Sequence, residues 1–585
     1  SKLFVETEYL RENGALLATR RPRGPSDQTI WAAHLSIVDG DSVGDVQYET
    51  DRGKFLSRNR TARAPADIFG GWPLSNSAGA VLDPIFSLRR RIQIPRGRTV
   101  TIAFWTIVAE TREEIINLID RHQETTAFNR AATLAATHAQ SQLQYLGLVG
   151  DEAHLFQLLA NHVIYADAAL RAPREMLTAA APPPVALWPL GISGDLPIVV
   201  VRISEEEHLG FVRQMIRAHD YWRMRRLAVD LVVLNERAAS YAQDLQKALD
   251  KIVHTFDRGQ EQGGQLGRLY LVRSEVVGAE SSRALRAAAR VDLSARRGTL
   301  ADQLAALIET DNDAKRAATT PRTPGRTTEP PPRLPALSLN HYNGYGGFSP
   351  DTNEYVVLVR PGQPTPAPWI NVVANAKFGF QVSAEGAGFC WALNSQQNKI
   401  TPWSNDPVSN ESGSAIYIRD LANNDLWSAT ASPIADPALS YVARHGHGYS
   451  CFETTGHGIA INLVEFVPLQ DTIKISRLRI ANTAKQARKL SLTHFAEWSL
   501  GQFRTSAAPY VVTDVDPITR AFYACNPANA DVRNQVVFLD MMGRQQSWTG
   551  DRREFLGRNF AKHAPAALLR EDPLSGRTGP GFDPC

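Results

Sequence analysis

From Ser1 to about Val108, apolar and polar residues alternate with a period of two between turn dipeptides, the pattern of half-buried strands. Phe86 and Leu88, then Val100, Ile102 and Phe104, flank Pro95-Arg96-Gly97 and predict a β-hairpin. The period then lengthens. Thr111-x-x-Glu114 opens a helix as a capping box, in which hydroxyl and carboxylate satisfy amides of the first turn. Helical spacing runs through 111–122, 125–146 and 151–165, resumes after a second box at Ser204-x-x-Glu207, and returns in 239–254, 281–291 and 300–309. Pro182 to Ile198 interrupts it as a Pro- and Gly-rich loop. Residues 313–336 are rich in Pro, Thr and basic residues, cannot form a core, and read as an extended linker. Beyond Leu337, short alternating strands recur at Glu354–Val359, Phe378–Val382, Ala415–Ile418, Ile459–Val467, Ile473–Ile480 and Leu490–Trp498, the rhythm of a large antiparallel sandwich. The fold class is multidomain α+β. Its segments are 1–110, the C-terminal part of a first β-sandwich; 111–312, an α-helical domain; 313–336, the linker; and 337–585, a second sandwich.

One stretch occurs twice. Asp51 to Pro84 reads DRGKFLSRNRTARAPADIFGGWPLSNSAGAVLDP, and Asp551 to Pro584 reads DRREFLGRNFAKHAPAALLREDPLSGRTGPGFDP, with no insertion between them. Asp-Arg, Phe-Leu, Arg-Asn, Ala-Pro-Ala, Pro-Leu-Ser and Asp-Pro fall at equal spacing, so the chain carries two versions of one structural unit. The first version has fifty residues ahead of its Asp51, whereas the second has about two hundred, and the second stops one residue past the shared stretch. The chain is therefore expected to be a slice of a longer protein, both units cut.

A length of 585 residues exceeds one core and predicts several domains. Apolar content of 43% and charged content of 21% are those of soluble globular protein, and a formal charge of +3 gives no electrostatic case for nucleic acid. Cys390, Cys451, Cys525 and Cys585 lie far apart without a CxxC pair, which argues against zinc or a disulfide framework and fits a reducing compartment. The longest apolar runs, Leu196–Val201 and Leu227–Leu234, fall short of the ~20 residues a membrane span needs.

The richest chemistry lies in Asn343–Phe348, Thr365–Asn371, Phe389-Cys390-Trp391 and Thr401–Pro407. Indole faces stack on the C–H patch of a sugar ring while Asn and Asp bond the hydroxyls around it, so Trp369, Asn371, Trp391, Trp403, Asn405 and Asp406 are the candidate carbohydrate contacts. The same residues also suit a sandwich core and its turns. Gly191-Ile-Ser-Gly-Asp195 places a carboxylate beside Trp188 and makes Asp195 a weak candidate acid, though such a residue is more often a cap or turn; the loop lacks the Lys-Ser/Thr of a P-loop. His445, His447 and His457 cluster in sequence, but Gly446 and Gly448 favour a turn over a zinc face. Arg89–Arg91 and Arg223–Arg226 suit a solvated strand edge and helix face as well as a polyanion.

The runs NGYGGFSPDTNEYVV, TPAPWINVVANAKFGF, GFCWALNSQQNKITPWSNDPVS, YVARHGHGYSCFE and VPLQDTIKISRLRIANTAKQARKLSLTHFAEWSLG resemble the supersandwich of glycoside hydrolase family 94, formerly glycosyltransferase family 36. Within it the likeness is to cyclic β-1,2-glucan synthases, and SAGAVLDPIFSLRRR and LWPLGISGDLPIVVVRI extend it into the first unit. The resemblance implies a β-supersandwich, a partial α/α barrel at 111–312, and inverting phosphorolysis with inorganic phosphate as the parent's co-substrate and no cofactor. It implies that the catalytic acid sits in a barrel this stretch lacks, that β-glucan oligosaccharide, the rest of the parent and a second copy are partners, and that the parent works on the cytoplasmic side of the bacterial inner membrane. A non-catalytic scaffold or dimerisation module is the alternative. A stand-alone hydrolase would need paired carboxylates across a cleft, and no convincing pair stands out.

Overall fold

In a computed structural model the described residues are 4–585 less 166–167, 174–175, 178–183, 238–242, 258–265, 306, 308–336, 361, 437–438, 558–560 and 571. The expected linker at 313–336 lies outside them. Contacts divide the chain into two units. One holds residues 1–142 with the loops 364–368 and 405–410; the other holds 143–363, 369–404 and 411–585.

The first unit is built on an antiparallel sheet of β1 (Val5–Leu10), β2 (Ala15–Arg20), β3 (Ile30–Asp39) and β6 (Thr101–Ala109), in that order, with β4 (Gln47–Asp51) and β5 (Pro84–Arg89) paired apart from it. Alternation puts Ala15, Leu17, Ala33, Leu35 and Ala109 on one face, where Ile115 and Ile119 of the helix Arg112–Arg121 close the core. That helix starts as expected, Thr111 Oγ1 accepting from the Glu114 amide at 3.2 Å. The expected hairpin is corrected. A turn does form, Arg98 N–H donating to Pro95 O at 3.0 Å, but β5 pairs with β4 (Tyr48 opposite Leu88) and β6 with β3 (Leu35 opposite Trp105). Alternation identifies a strand and its inner face, not its neighbour.

The second unit holds two assemblies. The first corrects the expected helical, α/α-barrel-like domain: β7 (Ile198–Ile203), β8 (Asp230–Asn235), β9 (Leu269–Arg273) and β10 (Val291–Ser294) form a parallel sheet in the order β10-β7-β8-β9. Both faces are covered. Val199, Val201, Leu231 and Val233 pack with Phe156 and Trp222 from the helices Gly150–Ile164 and Leu209–Met224. Ile198, Val200, Val232 and Leu234 pack with Ala284 and Leu285 of the helix Ala279–Ala288. A strand buried on both sides has no polar face to show, so IVVVRI and DLVVLN carry continuous apolar runs where a period of two was sought.

The other assembly is the sandwich. A six-stranded sheet, β11 (Gly346–Phe348), β12 (Tyr355–Val359), β18 (Tyr441–Gly446), β19 (Tyr449–Gly456), β20 (Ile459–Phe466) and β21 (Ile475–Asn482), runs in that order. Three further sheets are β13 (Ile370–Ala374), β14 (Phe378–Ser383) and β15 (Gly388–Ala392); β16 (Ser414–Asp420) between β17 (Leu426–Ser428) and β22 (Leu490–Ala496); and β23 (Val512–Val515), β24 (Phe522–Cys525) and β25 (Val536–Leu539). One core of Val357, Phe380, Ile418, Trp427, Phe452, Leu463, Trp498 and Phe522 joins them.

Candidate functional site

The sheet β13-β14-β15 presents the aromatic residues singled out in the sequence. Phe389 is buried, Trp391 half-buried and Trp403 44% exposed, and the Trp403 ring stacks on Phe389 with centroids 5.2 Å apart and planes 17° off parallel. Phe389 and Trp391 are themselves 5.2 Å apart. Trp391 lies over Gly379 of β14, where a Cβ would come within 2.5 Å of the indole, so the glycine lets the ring settle on the strand. Trp403 is thus an indole held from behind by a buried ring, with open surface to offer a sugar face.

The remaining candidates are placed differently. Trp369 is half-buried and meets Tyr345 and Tyr355 edge-on at 5.8 and 6.0 Å. Asn371 Nδ2 donates to Gly446 O, Tyr449 O and Ser450 Oγ at 3.1, 2.9 and 3.1 Å, tying β13 to the β18–β19 hairpin. Asn405 and Asp406 belong to the first unit, whereas Trp403 belongs to the second. Asn405 is exposed in a left-handed conformation, φ 48°. Asp406 takes a two-pronged bond from Arg52 (2.8 and 2.7 Å), the Val408 amide at 2.9 Å and the Ser409 hydroxyl at 2.6 Å. Burial opposes its charge, but the bonds from Arg52 and Ser409 win and hold its carboxyl well below the usual range. Those acceptors are committed to protein.

Asp195 is exposed and sits before β7, at the amino end of the parallel sheet. Ligands of open α/β sheets gather at the opposite, carboxyl end. Arg202 and Arg286 hold the buried Asp292, level with Val200 in mid-sheet, at 2.7 Å each, and past the carboxyl ends of β7 and β10 Arg296 bonds Glu205 at 2.6 Å. Glu205, Glu207 and His208 could together approach a cation there, though Glu205 is already paired. His445 ends β18 and His457 follows β19, one strand length or roughly 25 Å apart, so the two cannot share a zinc. His457 lies between Asp425 (3.7 Å) and Asp436 (3.1 Å) and stacks on Trp427.

Behind the Trp403 loop, Gly413 abuts Pro402, and its carbonyl accepts from the Glu497 amide at 2.9 Å. Glu497 is paired with Arg552 (2.5 Å) and Lys562 (3.3 Å), and Asp583 with Arg552 (3.1 Å) and Arg504. Glu497 and Asp583 thus share Arg552 between them, each with a second cation of its own.

Sequence reasoning missed a cavity of about 440 Å³ on the six-stranded sheet. It is lined by Arg444, Glu453, Asn462 and Arg479, the last three directly opposite one another across β19, β20 and β21. The alternation of Asn462 and Arg479 with apolar neighbours carried its signal.

Comparison with known proteins supports a carbohydrate-active class for this fold. The supersandwich domain of glycosyl hydrolase 94 matches residues 1–125 and 353–585, and the chain belongs to that family. Along its whole length it is 38% identical to the cyclic beta-(1,2)-glucan synthase NdvB of Rhizobium meliloti, of which it covers 21%. Over 28% of the chain it is 32% identical to the N,N'-diacetylchitobiose phosphorylase of Vibrio proteolyticus and 26% identical to the 3-O-beta-D-glucopyranosyl-beta-D-glucuronide phosphorylase of Paenibacillus borealis, covering 20% and 19% of them. The chain thus spans about a fifth of the length of these relatives. Among the described residues no helix is long and apolar enough to cross a membrane.

Proposed function

We propose that this chain is the β-glucan-holding part of a cyclic β-1,2-glucan synthase-like enzyme, whose second sandwich guides glucan toward a phosphorylase site elsewhere in the parent. The observation that carries this reading is Trp403, an exposed indole braced on Phe389 in a chain similar to NdvB from end to end. Trp391, 5.2 Å from Phe389, adds a second indole beside that ring. Inorganic phosphate would be the parent's co-substrate, in keeping with its phosphorylase relatives. The parent would act at the cytoplasmic face of the inner membrane, and a second copy is a candidate partner.

A scaffolding role is the second reading, favoured by Asn371 and Asp406, which spend their polar groups on protein. The two readings separate in a tryptophan-fluorescence titration with linear β-1,2-gluco-oligosaccharide. The glucan reading expects a saturable change that is lost in Trp403→Ala; an unresponsive wild-type chain leaves the scaffold.

A further inference from the structure

The first unit exposes an aromatic surface that its second-unit counterpart lacks. Phe69 ends the short helix Ala66–Phe69 at 69% exposure, and Trp72 follows at 73%. The loop that carries them is pinned from beneath. Arg89 donates from Nη2 to Asp67 O and from Nη1 to Trp72 O, both at 2.6 Å, and Leu74 is buried, with its amide bonded to Gln47. The indole folds back on Gly70, where a Cβ would lie 2.8 Å from the ring carbon Cδ1, and Gly71, at φ 70°, supplies the left-handed turn between them. The backbone under the ring is therefore fixed while most of the indole's area meets water. Such preorganisation lowers the entropic cost of a ligand's docking there.

The second copy shows what the same loop looks like without this surface. Gly70-Gly71-Trp72 aligns with Arg570-Glu571-Asp572, and Ile68, 51% exposed, aligns with Leu568, which packs beside Tyr417, Phe495 and Phe555. In that copy the residue at the Trp72 position is an exposed carboxylate, Asp572. Of the two copies, the first alone carries an indole at this position.

We infer that Trp72, with Phe69 beside it in the chain, is a second sugar-stacking platform that takes the pyranose faces of a β-linked glucan. The inference rests on the glucan reading above and adds to it a contact in the other unit. Calorimetric titration of the full chain with linear β-1,2-gluco-oligosaccharide tests it. Trp72→Ala, or Trp72→Asp to imitate the second copy, is expected to weaken binding about tenfold, as loss of an aromatic anchor does. Gly70→Ala keeps the indole but drives a Cβ into it, and is expected to weaken binding by a smaller factor with the fold intact. Wild-type affinity in both Trp72 variants, with Trp403→Ala impaired, overturns this platform and spares the glucan reading. No binding by the wild-type chain removes both.

Discussion

The two copies of the repeat share a backbone skeleton and differ in what they do with it. Asp51 caps the helix Arg52–Leu56 and Asp551 caps Arg552–Leu556; Arg52 N–H reaches Asp83 O at 2.9 Å and Arg552 N–H reaches Asp583 O at 2.8 Å. The arginine then grips the closing aspartate, at 2.9 Å in one copy and 3.1 Å in the other. Thr7 N–H donates to Gly79 O as Thr513 N–H does to Gly579 O, and Asn76 N–H finds Tyr48 O as Gly576 N–H finds Trp548 O. What diverges is the second acid on the arginine: Asp406, from a loop distant in sequence, for Arg52, and Glu497, the residue just after β22, for Arg552. The outer loop diverges with it, into rings in the first copy and charges in the second. Duplication conserved the latch and freed the surface.

Breaking the latch should expose that difference most strongly. Arg552→Ala leaves Glu497, 3% exposed, with Lys562 alone and Asp583 with Arg504 alone, and should cost about 3 kcal/mol in a denaturant titration. Arg52→Ala, whose partners are about a fifth exposed, should cost about 2 kcal/mol. Equal losses would mean that the second acid does not set the strength of the latch.

Acid should act chiefly on the second unit. Burial drives His219, His445 and His494 from 6.5 down to about 4, so each is neutral when folded. As pH falls from 6.5 to 4 the unfolded chain takes up protons that these sites refuse, and stability drops through that window. Hydrogen exchange at pH 5 and pH 7 reports this unit by unit; a flat profile in the second unit would contradict it.

A smaller effect lies at the helix ends. Ser57 sits at φ 66°, ψ 162°, a region suited to glycine, and Gly557 occupies the same place at φ 80°, ψ −176°. Ser57→Gly should raise stability by about 1 kcal/mol. Gly557→Ser should lower it by about 1–3 kcal/mol, since its Cβ would meet Ala566 at 2.7 Å. Thermal denaturation checks both, and a destabilised Ser57→Gly would show that the serine is not strained.

The repeat was legible in the sequence because equal spacing survives divergence, and the sandwich because its outer faces are wet. The parallel sheet was not, since Ile198–Ile203 buries both faces and leaves no alternation to find. Trp403 could be singled out because a ring near Asn and Pro is a local signal. The commitments of Asn371 and Asp406 depend on partners reached through the fold, Arg52 lying 354 positions from Asp406, and no local pattern announces them. Trp72 escaped notice for a related reason: its exposure depends on Gly70 and Arg89 and not on the neighbours that mark a sugar motif.

Hydrogen–deuterium exchange with and without linear β-1,2-gluco-oligosaccharide tests the divergence of the two copies most directly. The account predicts slowed exchange across 66–74 and 389–403, and unchanged exchange across 566–574. Protection appearing equally in both copies, or in neither sandwich, would contradict it.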